Sequence, residues 1–161
     1  MFIVRADYNE KLEIKSPVEK IREFFSDIQN FLSLMPNIES IHTDGRGVTR
    51  WTIRAEIPVV GQMRQSFAVE LTENSIERIE WSPARGEKEN LLRCAADLFE
   101  KTSGSTLVQI SQIVELRRAR AKDLHPLAAI SGASSINRGM QAEVSKMIKK
   151  FLQKSKEKLE K

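Results

Sequence analysis

Apolar residues along this chain change period twice. Val4, Ala6, Tyr8, Leu12 and Ile14 share even parity, interrupted by Glu10, which reads as an extended strand with one buried face. From Ser16 the spacing turns helical: Val18, Ile21, Phe24 and Phe25 make one stripe, and Ile28, Phe31, Leu32 and Met35 a second. Ser16, Pro17 and Glu19 predict a capping box with proline at the first helical position, and Ser26 with Gln29 predicts a second box. Pro36 pushes Met35 out of the α region and ends the second helix. Helices this short are marginal alone, because nucleating a helix is unfavourable, so both stripes must lie on another layer.

The middle of the chain supplies that layer. Turn signals recur at DGRG (44–47), PVVG (58–61), TENS (72–75), SPARGEK (82–88) and TSGS (102–105). The segments between them alternate. Trp51, Ile53, Ala55 and Ile57 oppose Arg50, Thr52, Arg54 and Glu56, and Phe67, Val69 and Leu71 oppose Ser66, Ala68 and Glu70. Ile79 and Trp81, then Leu92, Cys94, Ala96 and Leu98, then Val108, Ile110, Val114 and Leu116 continue the pattern. About seven strands joined by hairpins predict an antiparallel, strongly curved sheet. Beyond Leu127 the helical period returns in Ile136, Met140, Val144, Met147, Ile148, Phe151 and Leu152, opposite Lys146, Lys149, Lys150 and Lys154. This long closing helix is expected to begin between Leu127 and Ser135, with Gly132 and Gly139 marking a kink or a close approach. The fold class is therefore α+β: strand, two short helices, six strands and one long helix, in a single domain over residues 1–161.

Composition narrows the function classes. With 161 residues, 40% of them apolar and 30% charged, the chain can bury a core and is not disordered. No apolar run approaches the ~20 residues that span a bilayer, and Arg5 and Asp7 interrupt the start, so a cytoplasmic location is expected. A single cysteine, Cys94, excludes an intrachain disulfide and multi-cysteine metal sites. The net charge of +4 belongs to the tail: seven lysines against two acids follow from Lys146, leaving −1 for the rest. Those lysines, and RRARAK at 117–122, read as solvated faces, and no aromatic residues interleave with them, so no specific nucleic-acid partner is expected.

The order of elements, with SPVEKIREFFSD, the proline of LMPNIESI and the GSTLVQI strand entry, resembles the START-like (SRPBCC) superfamily over nearly the whole chain. That superfamily includes the birch pollen allergen, polyketide cyclases and lipid-transfer domains. Within it the sequence looks closest to the bacterial polyketide cyclase/dehydrase and lipid transport group, near its carbon monoxide dehydrogenase-associated and coenzyme Q-binding relatives. The resemblance implies a helix-grip fold, in which a curved seven-stranded antiparallel sheet grips the C-terminal helix and a cavity lies between them. It also puts Asp27 at the start of the second short helix, where a carboxylate suits the helix dipole.

The residues expected to line that cavity are Trp51, Ile53, Met63, Phe67, Val69, Trp81, Leu92, Cys94, Ile110, Met140, Val144 and Met147, with Phe31 and Met35 near one end. Each is also an ordinary core residue by its spacing, but several methionines in one wall make an adaptable apolar lining. Gln65 and Gln112 share parity with these inward faces, and a buried amide must find a partner in water, backbone or ligand. Neither His42 nor His125 has a nucleophile motif beside it, and no phosphate loop, zinc spacing or inward carboxylate pair is present. The expected function is non-catalytic binding or transport of a hydrophobic small molecule such as a lipid, quinone or polycyclic metabolite, without cofactor or metal. The alternatives are a cyclase or dehydratase using Gln65, Gln112 and one of the two histidines to orient a polyketide-like substrate, and transient membrane or protein contact through the basic C-terminal helix.

Overall fold

The computed structural model describes residues 1–161, and its order of elements matches the periodicity of the sequence. Strand β1 (Phe2–Ile14) is followed by α1 (Val18–Ser26) and α2 (Ile28–Leu34). Six strands come next: β2 (Ile38–Thr43), β3 (Thr49–Ile57), β4 (Gly61–Asn74), β5 (Arg78–Pro83), β6 (Asn90–Thr102) and β7 (Ser105–Arg118). Two four-residue helices, α3 (Ala121–Leu124) and α4 (Ala128–Ser131), lead into α5 (Ala133–Leu159). The sheet is antiparallel throughout, in the order β1-β7-β6-β5-β4-β3-β2.

Its curvature follows from what α5 touches. The helix packs on β1 and also on β3, although four strands separate these two in the sheet. A flat sheet would hold them roughly 24 Å apart at about 4.8 Å per strand, against a helix about 10 Å wide. The sheet therefore bends around α5, helped by bulges between Ile38 and Ser40, Leu71 and Glu73, and Glu100 and Thr102.

The two sides of α5 are attached differently. Along β1, side chains of the helix region satisfy the free strand edge. Asn137 Oδ1 accepts from the Arg5 amide at 2.9 Å and Gln141 Oε1 from the Asp7 amide at 2.9 Å, and just past the strand end Glu160 Oε2 accepts from the Lys15 amide at 2.8 Å. Lys156 Nζ donates to the Glu13 carbonyl at 2.7 Å, and Gln141 Nε2 donates to the Asp7 carbonyl. Along β3 and β4 there are no such bonds, only apposition. A Cβ at Gly139 would stand 2.9 Å from Pro58 Cδ and 3.1 Å from Ile57 Cγ2, so a side chain there would drive helix and hairpin apart. Gly139 is the close approach that the sequence suggested, while Gly132, at φ 81, is the break between α4 and α5.

Several local expectations are corrected. Ser16 does not cap α1: Pro17 is extended (φ −63, ψ 145) and itself forms the N-cap, which moves the helix one residue on and leaves Ser16 Oγ buried without a partner. Glu19 pairs instead with Arg22. Ser26 closes α1, its Oγ donating to the Glu23 carbonyl, and Asp27 opens α2 by accepting from the Gln29 amide at 2.9 Å, as the resemblance implied. Met35 is extended before Pro36, as the proline requires.

Candidate functional site

Between sheet and α5 the interior divides into two regions. Toward α2 it is filled by rings. Phe31 stacks on Phe151 at 5.0 Å and meets Trp51 at 5.1 Å and Trp81 at 6.2 Å, with Phe25 against Phe151. The indole nitrogens are satisfied internally: Trp51 Nε1 donates to Thr49 Oγ1 at 2.9 Å and Trp81 Nε1 to the Phe25 carbonyl at 3.1 Å. Only a void of about 10 Å³ is left, the room of one water, beside Phe31, Trp81, Cys94 and Ile110.

Toward the β3–β4 hairpin the same interior opens into a cleft. Ile53, Met63, Gln65 and Phe67 form its sheet wall, and Met140, Val144 and Met147 its helix wall. These seven come from the expected set. Phe31, Trp81, Cys94 and Ile110 border the small void instead, and Met35, Trp51, Val69, Leu92 and Gln112 are buried in the core without lining either space. The cleft encloses about 50 Å³, room for about three to five waters at roughly 10–15 Å³ each. Its mouth meets an open recess of about 420 Å³ framed by Arg54, Glu56, Gln62, Glu143, Lys146 and Lys150.

Two further features of the cleft were absent from the expected set. Val114 and Leu116 complete its floor from β7. Behind Gln65 stands a polar relay: Gln65 Oε1 accepts from Asn90 Nδ2 at 3.1 Å and from Arg118 Nη2 at 3.2 Å, while Arg118 Nη2 also donates to Asn90 Oδ1 at 2.8 Å. The Arg118 side chain is only 11% exposed, so one arginine of the RRARAK cluster is turned inward, not solvated. Parity carries the signal for it: Arg118 continues the inward series Ile110, Gln112, Val114, Leu116, and Asn90 heads the series Leu92, Cys94.

Gln112 is fully buried, and neither its Oε1 nor its Nε2 has a partner. It pairs across the sheet with Cys94 and Tyr8, and it sits on β7 between Ile110 at the void and Val114 at the cleft. An unpaired buried amide costs about 1–3 kcal/mol, so the border between the two regions is a place where a polar guest would relieve a deficit. Ionisable chemistry is sparse here. Burial pushes the Cys94 thiol up to about 12, with the Glu80 carboxylate adding to the shift, so the thiol stays protonated. His42 is exposed and His125 half-buried, and neither lines the cleft; Glu143 is the one carboxylate in its lining.

Lys146, Lys149, Lys150 and Lys154 of α5 are exposed, Lys146 and Lys150 at the recess and Lys149 Nζ 6.0 Å from the centre of the Tyr8 ring of β1, whereas Lys156 and Lys158 are engaged with Glu13 and Asn30 of the same chain. No helix is long and apolar enough to cross a membrane.

Bowed antiparallel sheet, paired short helices and gripped terminal helix together make up a helix-grip fold, and solved structures share it. The chain superposes on the Zhui aromatase/cyclase from Streptomyces sp. R1128 with a TM-score of 0.69 at 12% identity, over 97% of this chain and 94% of that one. A conserved protein from Geobacillus kaustophilus gives a TM-score of 0.65 at 14% identity, over 95% and 94%. A START superfamily protein from Mycobacterium smegmatis gives 0.52 at 17% identity, over 84% and 98%. No protein-family model matches the chain, and no curated protein matches it in sequence.

Proposed function

We propose that residues 1–161 form a single START-like domain that binds or carries a hydrophobic small molecule, without catalysis, in the cleft between α5 and the β3–β4 half of the sheet. One observation carries this reading: the cleft is walled by methionine and aliphatic side chains on both sides, and the helix that forms one wall has no hydrogen bond to the strands that form the other. The resting space is well below the ~300–1,000 Å³ of a ligand-sized site, so a guest enters by displacing side chains. Met63, Met140 and Met147 are unbranched and polarisable, which suits them to yield around an irregular apolar body. The START-like fold adds support, as does the scarcity of titratable groups in the lining.

Native mass spectrometry against a library of lipids, quinones and polycyclic compounds tests the proposal. Uptake of one equivalent is expected, and Val144→Trp, which fills the helix wall, is expected to abolish it. No uptake of any compound by the parent chain, or undiminished uptake by the filled variant, would overturn the proposal.

A cyclase or dehydratase reading rests on the same cleft. Glu143 favours it, because it places a carboxylate where apolar lining meets the polar recess, and so does the likeness to the Zhui aromatase/cyclase. Turnover of a poly-β-keto thioester by the parent chain, lost in Glu143→Gln, would establish this second reading.

A further inference from the structure

We infer that the chain associates weakly with further copies of itself, head to tail: an acidic groove with an apolar floor at one end of the sheet receives the basic, apolar segment that follows β7 at the other end. Neither surface shares a residue with the cleft, so this association is independent of what the cleft binds.

The groove encloses about 530 Å³ between the β4–β5 turn, the start of α1 and the end of β6. Its apolar lining includes Ile76 and Phe99, which stand 45% and 51% exposed. Glu73, Glu77 and Glu100 rim it, all three exposed. Arg78, the one cation in the lining, is already committed to acids of its own chain: Asp97 at 2.5 Å, Glu80 at 2.6 Å and Glu73 at 3.9 Å. Glu77 and Glu100 pair with no cation, so a chain of net charge +4 carries a negative hollow here.

The complementary surface is the segment 119–132. Arg120 and Lys122 are exposed on it, as are Leu127 and Ile130, at 39% and 78%. Its one acid, Asp123, is engaged by Arg120 at 3.5 Å, which leaves Lys122 without a carboxylate. Seven large hydrophobic side chains of the chain are exposed, and four of them lie in these two patches, one pair among acids and the other among bases. Clustered exposed apolar groups mark interaction surfaces, and opposite charge around them selects which surface meets which.

One chain cannot join its own two patches. The groove lies at the β6–β7 hairpin, where Glu100 pairs with Thr106, and the basic segment begins beyond Arg118. The 14 residues of β7 run from one to the other, about 45 Å of strand at ~3.3 Å per residue. The match is therefore made between copies. With one patch of each kind at opposite ends, the contact is heterologous and propagates from copy to copy instead of closing as a two-fold pair. It adds no strand to the sheet. Only nine residues line the groove, against roughly 20–30 a side in a stable interface, which is why the association is weak.

Sedimentation velocity of the full chain provides the test. The weight-average sedimentation coefficient should rise between about 10 µM and about 1 mM protein at ~0.05 M salt, and the rise should disappear at ~0.5 M, where exposed charges are largely screened. Two variants address the patches separately: Glu77→Lys with Glu100→Lys reverses the rim, and Lys122→Glu with Ile130→Asp reverses the segment. All four side chains are exposed, so both variants should keep the fold, as circular dichroism can verify. Each is expected to raise the dissociation constant about tenfold or more, because like charges then face one another. The first variant raises the net charge and the second lowers it, so a loss in both does not come from overall repulsion. An equimolar mixture of the two should associate again, since each retains the patch that the other has lost. A parent chain that stays monomeric to about 1 mM, variants that associate undiminished, or a mixture that stays monomeric would each overturn the proposal, and none of these outcomes bears on the cleft.

Discussion

The two ends of the interior share one sheet and one helix, yet they are built to opposite specifications. Near α2, rings interlock and both indole nitrogens find partners within the protein, leaving space for a single water. Near the β3–β4 hairpin, thioethers and aliphatic side chains face one another across open space. The pairing teaches how a bowed sheet can be both stable and receptive. Large rigid groups supply burial and dispersion at one end, and flexible groups at the other end tolerate displacement.

That comparison can be broken at the aromatic end with the greatest effect. Phe31 is 1% exposed at the centre of the ring cluster, so Phe31→Ala should cost about 3–5 kcal/mol, read as a lower urea midpoint. A loss below about 1 kcal/mol would mean that the cluster is not the stabilising end. A change at the boundary of the open end is expected to cost less and to do something different. Gly139→Val should destabilise by about 1–3 kcal/mol through overpacking against Ile57 and Pro58. Because no hydrogen bond ties α5 to β3, the helix should yield on that side, and uptake of an apolar fluorescent dye should rise as the melting temperature falls. Unchanged dye uptake would show that the hairpin moves instead of the helix. The smallest effect is expected at the border between the ends, and with the opposite sign. Gln112→Leu removes two unpaired buried polar atoms and should stabilise the chain by about 1 kcal/mol, seen as a higher urea midpoint. A lower midpoint would show that the amide has a partner in the folded protein.

Much of this architecture is legible in the sequence because it depends on period alone. Parity determines which face of each strand is buried, and it carries Gln112 and Gln65 to the inner side. The same rule, followed one step further along two strands, reaches Asn90 and Arg118; what hid Arg118 was its membership of a basic run, a local feature that outweighed its register. The division into a filled end and an open end was not legible. It depends on how far α5 stands from each strand, and periodicity sets the face of a side chain but not the distance across the gap. The four-residue helices α3 and α4 were missed for a simpler reason: a single turn has no repeat to detect. Ser16 failed as a cap because the extended backbone at Pro17 displaces the helix start by one residue, a shift of the size common at element ends.

The bonds from Asn137, Gln141, Lys156 and Glu160 to β1 have a consequence for self-association. An unprotected outer strand is a template on which another polypeptide can add itself, and sheets of this size otherwise need charges, prolines or short outer strands to discourage it. Here one flank is sealed by the molecule's own terminal helix, so recruitment of a foreign strand is confined to the opposite flank, where six-residue β2 is short and irregular. The same fastening holds the helix by hydrogen bonds on one side only, and its far side rests on the β3–β4 hairpin by packing alone.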